Sequence, residues 1–341
     1  MTPVGQVGKE LQAAGVKVHT LAITRGRISP AGLFRLLKLL RGLKPDLLQC
    51  WMYHANLLGL LAAKLAGVPH VIWGIRCSEI DFACYPRLTR WVVSLGARLS
   101  SLPDVTVVNS EAGAKVHTRW GYDSSKMVVI YNGFDLEQFK EDRLARLAVR
   151  RELGLMDDSP LIGLIARYDP MKDHENFFRA AGFLGQRRSD VNFLLCGMDI
   201  TSENTDLARM VRTYGLEGNV HLLGLRDDIP RLTAALDIAT SSAHGEGFCN
   251  AVGEAMSCGV PCVATDVGDA VRIVGEAGRV IPPRDPQALA AAWAELIDMG
   301  HHRRKALGSM ARERIREKFS LASFQQAHES LYERIQNGAS R

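Results

Sequence analysis

The 341 residues are 47% hydrophobic and 23% charged, which suits one large or two medium globular domains and argues against a chain of membrane spans. No apolar run approaches the ~20 residues needed to cross a bilayer, and the opening MTPVGQVGKELQ lacks the basic-then-apolar layout of a secretory leader, so a cytoplasmic protein is expected. The net charge of +5 is unevenly placed: residues 1–140 hold 17 Lys and Arg against 9 Asp and Glu, the remainder 25 against 28.

In chain order, the apolar run VKVHTLAI predicts a strand over residues 16–23. RGRISPAGLFRLLKLLRGLK then sets Arg35, Lys38 and Arg41 among Leu33, Phe34, Leu36, Leu37, Leu40 and Leu43, the pattern of a basic amphipathic helix. Two readings stay open: a helix packed on a sheet with its cations in water, or one that meets an anionic membrane surface or an acidic acceptor. Nucleic acid is not expected, because no aromatic and basic strand pattern accompanies the charges. Strands follow over 46–51, 70–75, 105–110 and 127–132, then a charged stretch from a turn at Asn132-Gly133 to about residue 150, taken as the linker. A second series covers 161–166, 192–197, 220–224, 238–242, 261–266 and 278–283.

Most of these are continuous Val, Ile and Leu runs, as required where helices cover both faces of a parallel sheet. The fold class is therefore α/β: two doubly wound, Rossmann-like domains over residues 1–135 and 136–318, with a terminal helix in 319–341. The seven cysteines form no CxxC pair and sit mostly in apolar runs, so they read as buried free thiols, neither a disulfide framework nor a zinc site.

Ligands of open parallel sheets collect beyond the carboxyl ends of the strands. There, after LIGLIA, stand Arg167 and Lys172, two cations suited to a diphosphate, although strand-end cations are also often simply solvated. After IATSS comes the loop His244-Gly245-Glu246-Gly247, then a helix from about Asn250. Glu246 at the mouth and Glu254 one turn into the helix would each accept bonds from hydroxyls at a different point of an extended ligand. The N-H groups of Asn250, Ala251 and Val252 would face its phosphates. Glu254 also fits an ordinary acid near a helix start. Carboxylates for hydroxyls, with amides and cations for phosphates, describe a nucleotide-sugar site.

EGFCNAVGE resembles the E-x7-E motif of retaining glycosyltransferases of family 4, which have the GT-B architecture of two Rossmann-like domains about a cleft. ARYDPMKD, VIYNGFD and CGVPCVATDVGD are similar to the family's phosphate loop, interdomain segment and strand-turn, and SLASFQQAHESLYERI, in 319–341, resembles its terminal helix that returns to the first domain. The resemblance implies transfer of a hexosyl group from an NDP-sugar to a saccharide or lipid-linked acceptor, in polysaccharide or glycolipid synthesis, at the inner face of the cell membrane and with no cofactor or metal. Arg167 and Lys172 would hold the diphosphate and, with Glu246, act in catalysis. Glu246, Gly247 and Phe248 would meet the sugar, Asn250, Ala251 and Val252 the sugar and phosphate, and Glu254 the ribose. Arg226 and Asp227 in GLRDD would border the base through their main chain, while His54 and Arg76 lie on the acceptor side.

The sequence departs from the family pattern in two places. Its opening looks like the segment after the family's second strand, so a β-α-β portion of at least ~30 residues and a glycine loop are expected to be missing, the first sheet incomplete and catalysis impaired. Arg76 and Cys77 occupy a loop where many members use histidine. The alternatives are a catalytically weak nucleotide-sugar-binding remnant, or another GT-B enzyme such as a sugar-nucleotide epimerase or a phosphorylase.

Overall fold

A computed structural model describes residues 5–23, 30–78 and 87–338. Four parallel strands form the first sheet in the order β1 (Leu47–Trp51), β2 (His70–Ile75), β3 (Val105–Val108) and β4 (Met127–Val129). The sheet separates two apolar layers. On the side of Val71, Trp73 and Ile75 lie the helices Pro30–Leu43, Tyr53–Ala66 and Arg87–Leu99. On the side of Ile72, Val105 and Val107 lies the terminal helix Leu321–Gln336, which buries Leu331 and Ile335 there. No strand forms at residues 16–23, against expectation. Among the described residues β1 ladders only with β2, so the segment has no strand to ladder with and stays irregular, with Val16 half exposed and its N-H turned back to the Leu11 carbonyl.

The second sheet comprises β5 (Leu161–Ile165), β6 (Asn192–Cys196), β7 (Val220–Leu222), β8 (Ile238–Ser241), β9 (Cys262–Thr265) and β10 (Gly278–Ile281). All are parallel, in the order β10-β9-β8-β5-β6-β7. Nearly every residue of β5, β6, β8 and β9 is buried, which is why they read as unbroken apolar runs. Edge-to-face packing of Phe177 on Phe193 and Trp293 fills one face, and the Trp293 N-H finds Thr240 Oγ at 2.9 Å.

Two strands of irregular chain cross between the domains side by side: the Phe134 N-H donates to the Phe319 carbonyl, and the Leu321 N-H to that of Phe134, both at 2.9 Å. Asn132-Gly133 makes no turn here. A Cβ on Gly133 would lie 2.6 Å from Phe324 Cβ and 2.8 Å from Leu321 Cα, so glycine admits the terminal helix. Residues 143–150 of the expected linker are helical: Arg143–Glu152 packs on the second domain, its buried Arg150 paired with Asp237 at 2.5 Å.

Candidate functional site

The strand order of the second sheet reverses between β5 and β8, the point beyond whose carboxyl ends a ligand settles in such folds. The loops leaving these two strands are tied together. The His244 N-H donates to the Met171 carbonyl at 3.0 Å, and Ser242 Oγ to the Lys172 carbonyl at 2.8 Å. This seam brings the Lys172 ammonium onto the Glu246 carboxylate as a half-buried ion pair. Arg167 stands nearer solvent, its guanidinium on Asp169 at 2.8 and 3.0 Å. An exposed pair of this kind contributes little stability, so an arriving anion can displace it. Asp173 ends the loop at a positive φ of 50°, its carboxylate accepting the Asn176 amide at 3.2 Å to start the helix His174–Gly185. Burial, then the Lys172 charge, lowers the pKa of His174 to about 4, so this neighbour stays neutral.

The helix Asn250–Ser257 begins at Cys249 without a side-chain cap, leaving its first amides and the positive end of its dipole toward the cleft. Glu254 lies one turn in, half-buried and with no hydrogen-bonding or ionic side-chain partner among the described residues, and burial raises its pKa. A carboxylate so placed lacks the donors that a vicinal diol would supply. Phe248 is buried against Phe134 and Tyr131, and the same Phe134 ring lies where a Cβ on Gly253 would be, so the helix start rests on the interdomain segment.

Arg226 has a different role from the acidic site residues. Its guanidinium grips Asp228 at 2.8 and 2.9 Å and Glu152 at 2.7 Å, and that bond draws Asp228 down to about 2. The side chain is a strut to the helix Arg143–Glu152, leaving only main chain for a base; Asp227 is exposed.

Across the cleft, the Arg76 guanidinium follows β2 and donates to Asn132 Oδ1, whose amide donates to Asn250 Oδ1 at 2.8 Å. Arg76 also lies over the Trp51 ring, 5.0 Å from its centroid. His54, in the first turn of Tyr53–Ala66, is exposed and contacts none of these. Ser78 Oγ donates to the Glu246 carbonyl, and Asp269, buried, accepts the Glu111 and Ala112 amides at 2.8 and 2.9 Å, capping a first-domain helix from the second domain. Lys172 thus meets Glu246, whose carbonyl receives Ser78, and Arg76 reaches Asn250 through Asn132. Arg167, Glu254, Arg226, Asp227 and His54 stay outside both groups of contacts. Asn132, Ser78 and Asp269 escaped the sequence reading because their partners are distant in sequence; the one local signal was the asparagine of VIYNGFD. Residues beyond Ser78 in the WGIRCSEID loop, and Cys84, lie outside the described residues. The other six cysteines are free.

Comparisons with known proteins agree with this geometry. The family description "Glycosyl transferases group 1" matches residues 159–299, and "Glycosyltransferase Family 4" matches residues 5–138. The chain is 28% identical over 290 residues to the N,N'-diacetylbacillosaminyl-diphospho-undecaprenol α-1,3-N-acetylgalactosaminyltransferase of Campylobacter jejuni, covering 81% of this chain and 75% of that one. It is 27% identical to a D-inositol 3-phosphate glycosyltransferase of Salinispora arenicola, covering 74% of this chain but only 60% of the relative. Among solved structures, Anabaena HepE in complex with UDP-glucose superposes with a TM-score of 0.80 at 25% identity, over 96% of this chain and 89% of that chain. A glycosyltransferase from Rickettsia africae gives 0.82 at 19% identity, over 97% and 88%. With both halves matched and the two-sheet architecture shared, the chain belongs to the family 4, group 1 glycosyltransferases of GT-B fold.

Proposed function

We propose that the protein transfers a hexosyl group from a nucleoside-diphosphate sugar to an acceptor hydroxyl with retention at the anomeric carbon. One observation carries the reading: Lys172 and Glu246, from the loops on either side of the strand-order reversal, meet beside a helix start that no side chain caps. In the donor complex the pair would part, Lys172 turning to the diphosphate with Arg167, and Glu246 to the sugar hydroxyls. Glu254 would take the ribose diol, and the amides of Asn250, Ala251 and Val252 the phosphates.

The bond from C1 to the leaving phosphate oxygen breaks, the bond from C1 to the acceptor oxygen forms on the same face, and the acceptor proton leaves on the departing phosphate. The charge growing on that phosphate falls to Lys172, Arg167 and the helix amides, an arrangement that asks for no metal. Anabaena HepE has been solved with UDP and with UDP-glucose, which makes a uridine donor the first to test. The relatives' names specify a diphospho-undecaprenol and an inositol phosphate, which favours an acceptor that carries phosphate, in glycolipid or polysaccharide synthesis beside a membrane.

Calorimetric titration of UDP, GDP and ADP tests the donor assignment. One nucleotide should bind selectively, and Lys172→Ala and Glu254→Ala should each weaken it by about tenfold or more, the worth of a charge-assisted bond. A folded protein that binds none of them, or variants that bind as wild type does, would overturn it.

A further inference from the structure

We propose that Arg76 is the phosphate-binding residue of the acceptor subsite, so that the acceptor presents its hydroxyl while a phosphate ester of the same molecule rests on this guanidinium. The proposal builds on the transfer reaction above and names the class of its second substrate.

The argument starts from charge. Of the four site cations three are neutralised by carboxylates: Arg167 by Asp169, Lys172 by Glu246, and Arg226 by Asp228 and Glu152. Arg76 has no carboxylate partner among the described residues. It is held instead by Asn132 Oδ1 and by the face of Trp51, a neutral acceptor and a neutral ring that orient a guanidinium without cancelling its charge. The residue is nevertheless exposed, so the charge is available to an anion.

Position supplies the second part. Arg76 hydrogen-bonds to Asn132 and Asn132 to Asn250, which sets the guanidinium two hydrogen bonds from the helix start proposed to receive the donor phosphates. The adjoining Ser78 touches the Glu246 loop, so Arg76 faces the cleft from the first domain. An acceptor bound there would reach the transferred sugar from the first-domain side of the cleft, its hydroxyl meeting C1 on the face that the phosphate leaves. The shelf beneath is firm, since Trp51 is backed by His328 of the terminal helix, ring centroids 6.3 Å apart. Met52, next in the chain, is exposed and holds a positive φ of 73°, unusual for a residue with a side chain and of the sort found at ligand sites. A planar fork held over an exposed indole suits a phosphate ester whose remainder is a sugar or a prenyl chain.

The test uses the full chain saturated with UDP, so that the donor phosphate site is filled. α-N-Acetylglucosamine 1-phosphate and geranyl diphosphate are titrated by calorimetry beside methyl α-N-acetylglucosaminide, the neutral control, against wild type, Arg76→Gln and Arg76→Lys. At least one phosphorylated probe should bind better than the glycoside, lose about tenfold or more in Arg76→Gln and keep most of its affinity in Arg76→Lys, with UDP affinity unchanged within about twofold. Preference for the 1-phosphate would indicate a soluble sugar phosphate, and preference for geranyl diphosphate a prenyl-linked acceptor.

Phosphorylated probes that bind no better than the glycoside, or equally well to Arg76→Gln, would overturn the proposal. Loss of UDP binding in Arg76→Gln would move the residue to the donor site and overturn it as well. A wild type that binds no UDP defeats the donor reading alone, because the same probe comparison on the nucleotide-free chain still decides Arg76.

Discussion

Glu254 carries a cost that the fold alone does not explain. Its half-buried carboxylate has no side-chain partner among the described residues, and burial raises its pKa above the ordinary value. Below the unfolded pKa of about 4.3 both states are protonated. As pH rises past it the unfolded chain releases the proton first, so the native state binds more protons and stability falls until the folded pKa is passed. Glu254→Gln should therefore raise the melting temperature near pH 7.5 and lose that advantage toward about pH 4, while weakening nucleotide binding, the exchange expected where a site keeps a group for its ligand. Scanning calorimetry across pH, paired with UDP titration, checks both; equal melting at neutral pH would mean that the ionised carboxylate is already satisfied. That Lys172 and the His244–Gly247 loop lie past the ends of neighbouring strands, and Glu254 in the helix that follows, was legible in the sequence because apolar runs fix where the chain leaves the sheet. The strut made by Arg226 and the hold of Asn132 on Arg76 were not, since Glu152 and Asn132 are far from them in sequence and no local pattern announces the pairing.

Among the elements, the helix Glu111–Arg119 shows how the two domains hold one another. Ser110 caps it from its own chain segment, accepting the Gly113 amide at 3.0 Å, while Asp269 of the second domain accepts the amides of Glu111 and Ala112. Asp269 is placed by the turn beneath the Glu246 loop: its own N-H donates to the Gly247 carbonyl at 3.2 Å, and Gly268, at a positive φ of 58°, lies so close to the Glu246 and Gly247 carbonyls that a Cβ would collide. A carboxylate on two helix-start amides contributes about 1–2 kcal/mol, and this one exists only while the domains are together. Asp269→Ala should cost roughly that much in denaturant unfolding and also increase the radius of gyration by small-angle scattering; a loss of stability with an unchanged radius would reduce the bond to a plain cap. All ten strands of the two sheets follow expected apolar runs, because burial on both faces writes itself into composition. The expected strand at 16–23 failed, since an apolar run predicts burial and not a neighbour to pair with. The Asn132-Gly133 turn failed too, because the glycine there answers to the close approach of another helix.

Over the whole molecule, the excess positive charge of the first domain resolves into a surface. The helices Pro30–Leu43, Tyr53–Ala66 and Arg87–Leu99 lie side by side on one face of the first sheet and contain no acidic residue, while Arg35, Lys38, Arg41, Lys64, Arg87, Arg90 and Arg98 are all exposed on them. Large apolar side chains stand among these cations, with Trp91 73% and Phe34 68% exposed, and Leu61, Leu65 and Leu95 about half so. On Arg87–Leu99 the outward stripe runs Leu88, Trp91, Leu95, each one turn from the next, with Arg87, Arg90 and Arg98 flanking it. Exposed apolar groups rimmed by cations that have no carboxylate partner among the described residues suit the boundary of an anionic bilayer, where rings and leucines enter the headgroup layer and each cation contributes about 1 kcal/mol. No helix among the described residues is long and apolar enough to cross a membrane. In vesicle flotation the protein should rise with phosphatidylcholine containing phosphatidylglycerol, rise far less with phosphatidylcholine alone, and lose binding as salt shortens the screening length. Trp91→Ser with Leu95→Ser should weaken binding to anionic vesicles while preserving what salt sensitivity remains, whereas Arg87→Glu with Arg90→Glu should abolish the preference for anionic lipid, a loss of about tenfold or more from two cations. Because all four positions lie outside the cleft, UDP affinity should be the same in every variant; flotation indifferent to lipid charge, or unchanged by both pairs of substitutions, would show that this face meets something other than a membrane.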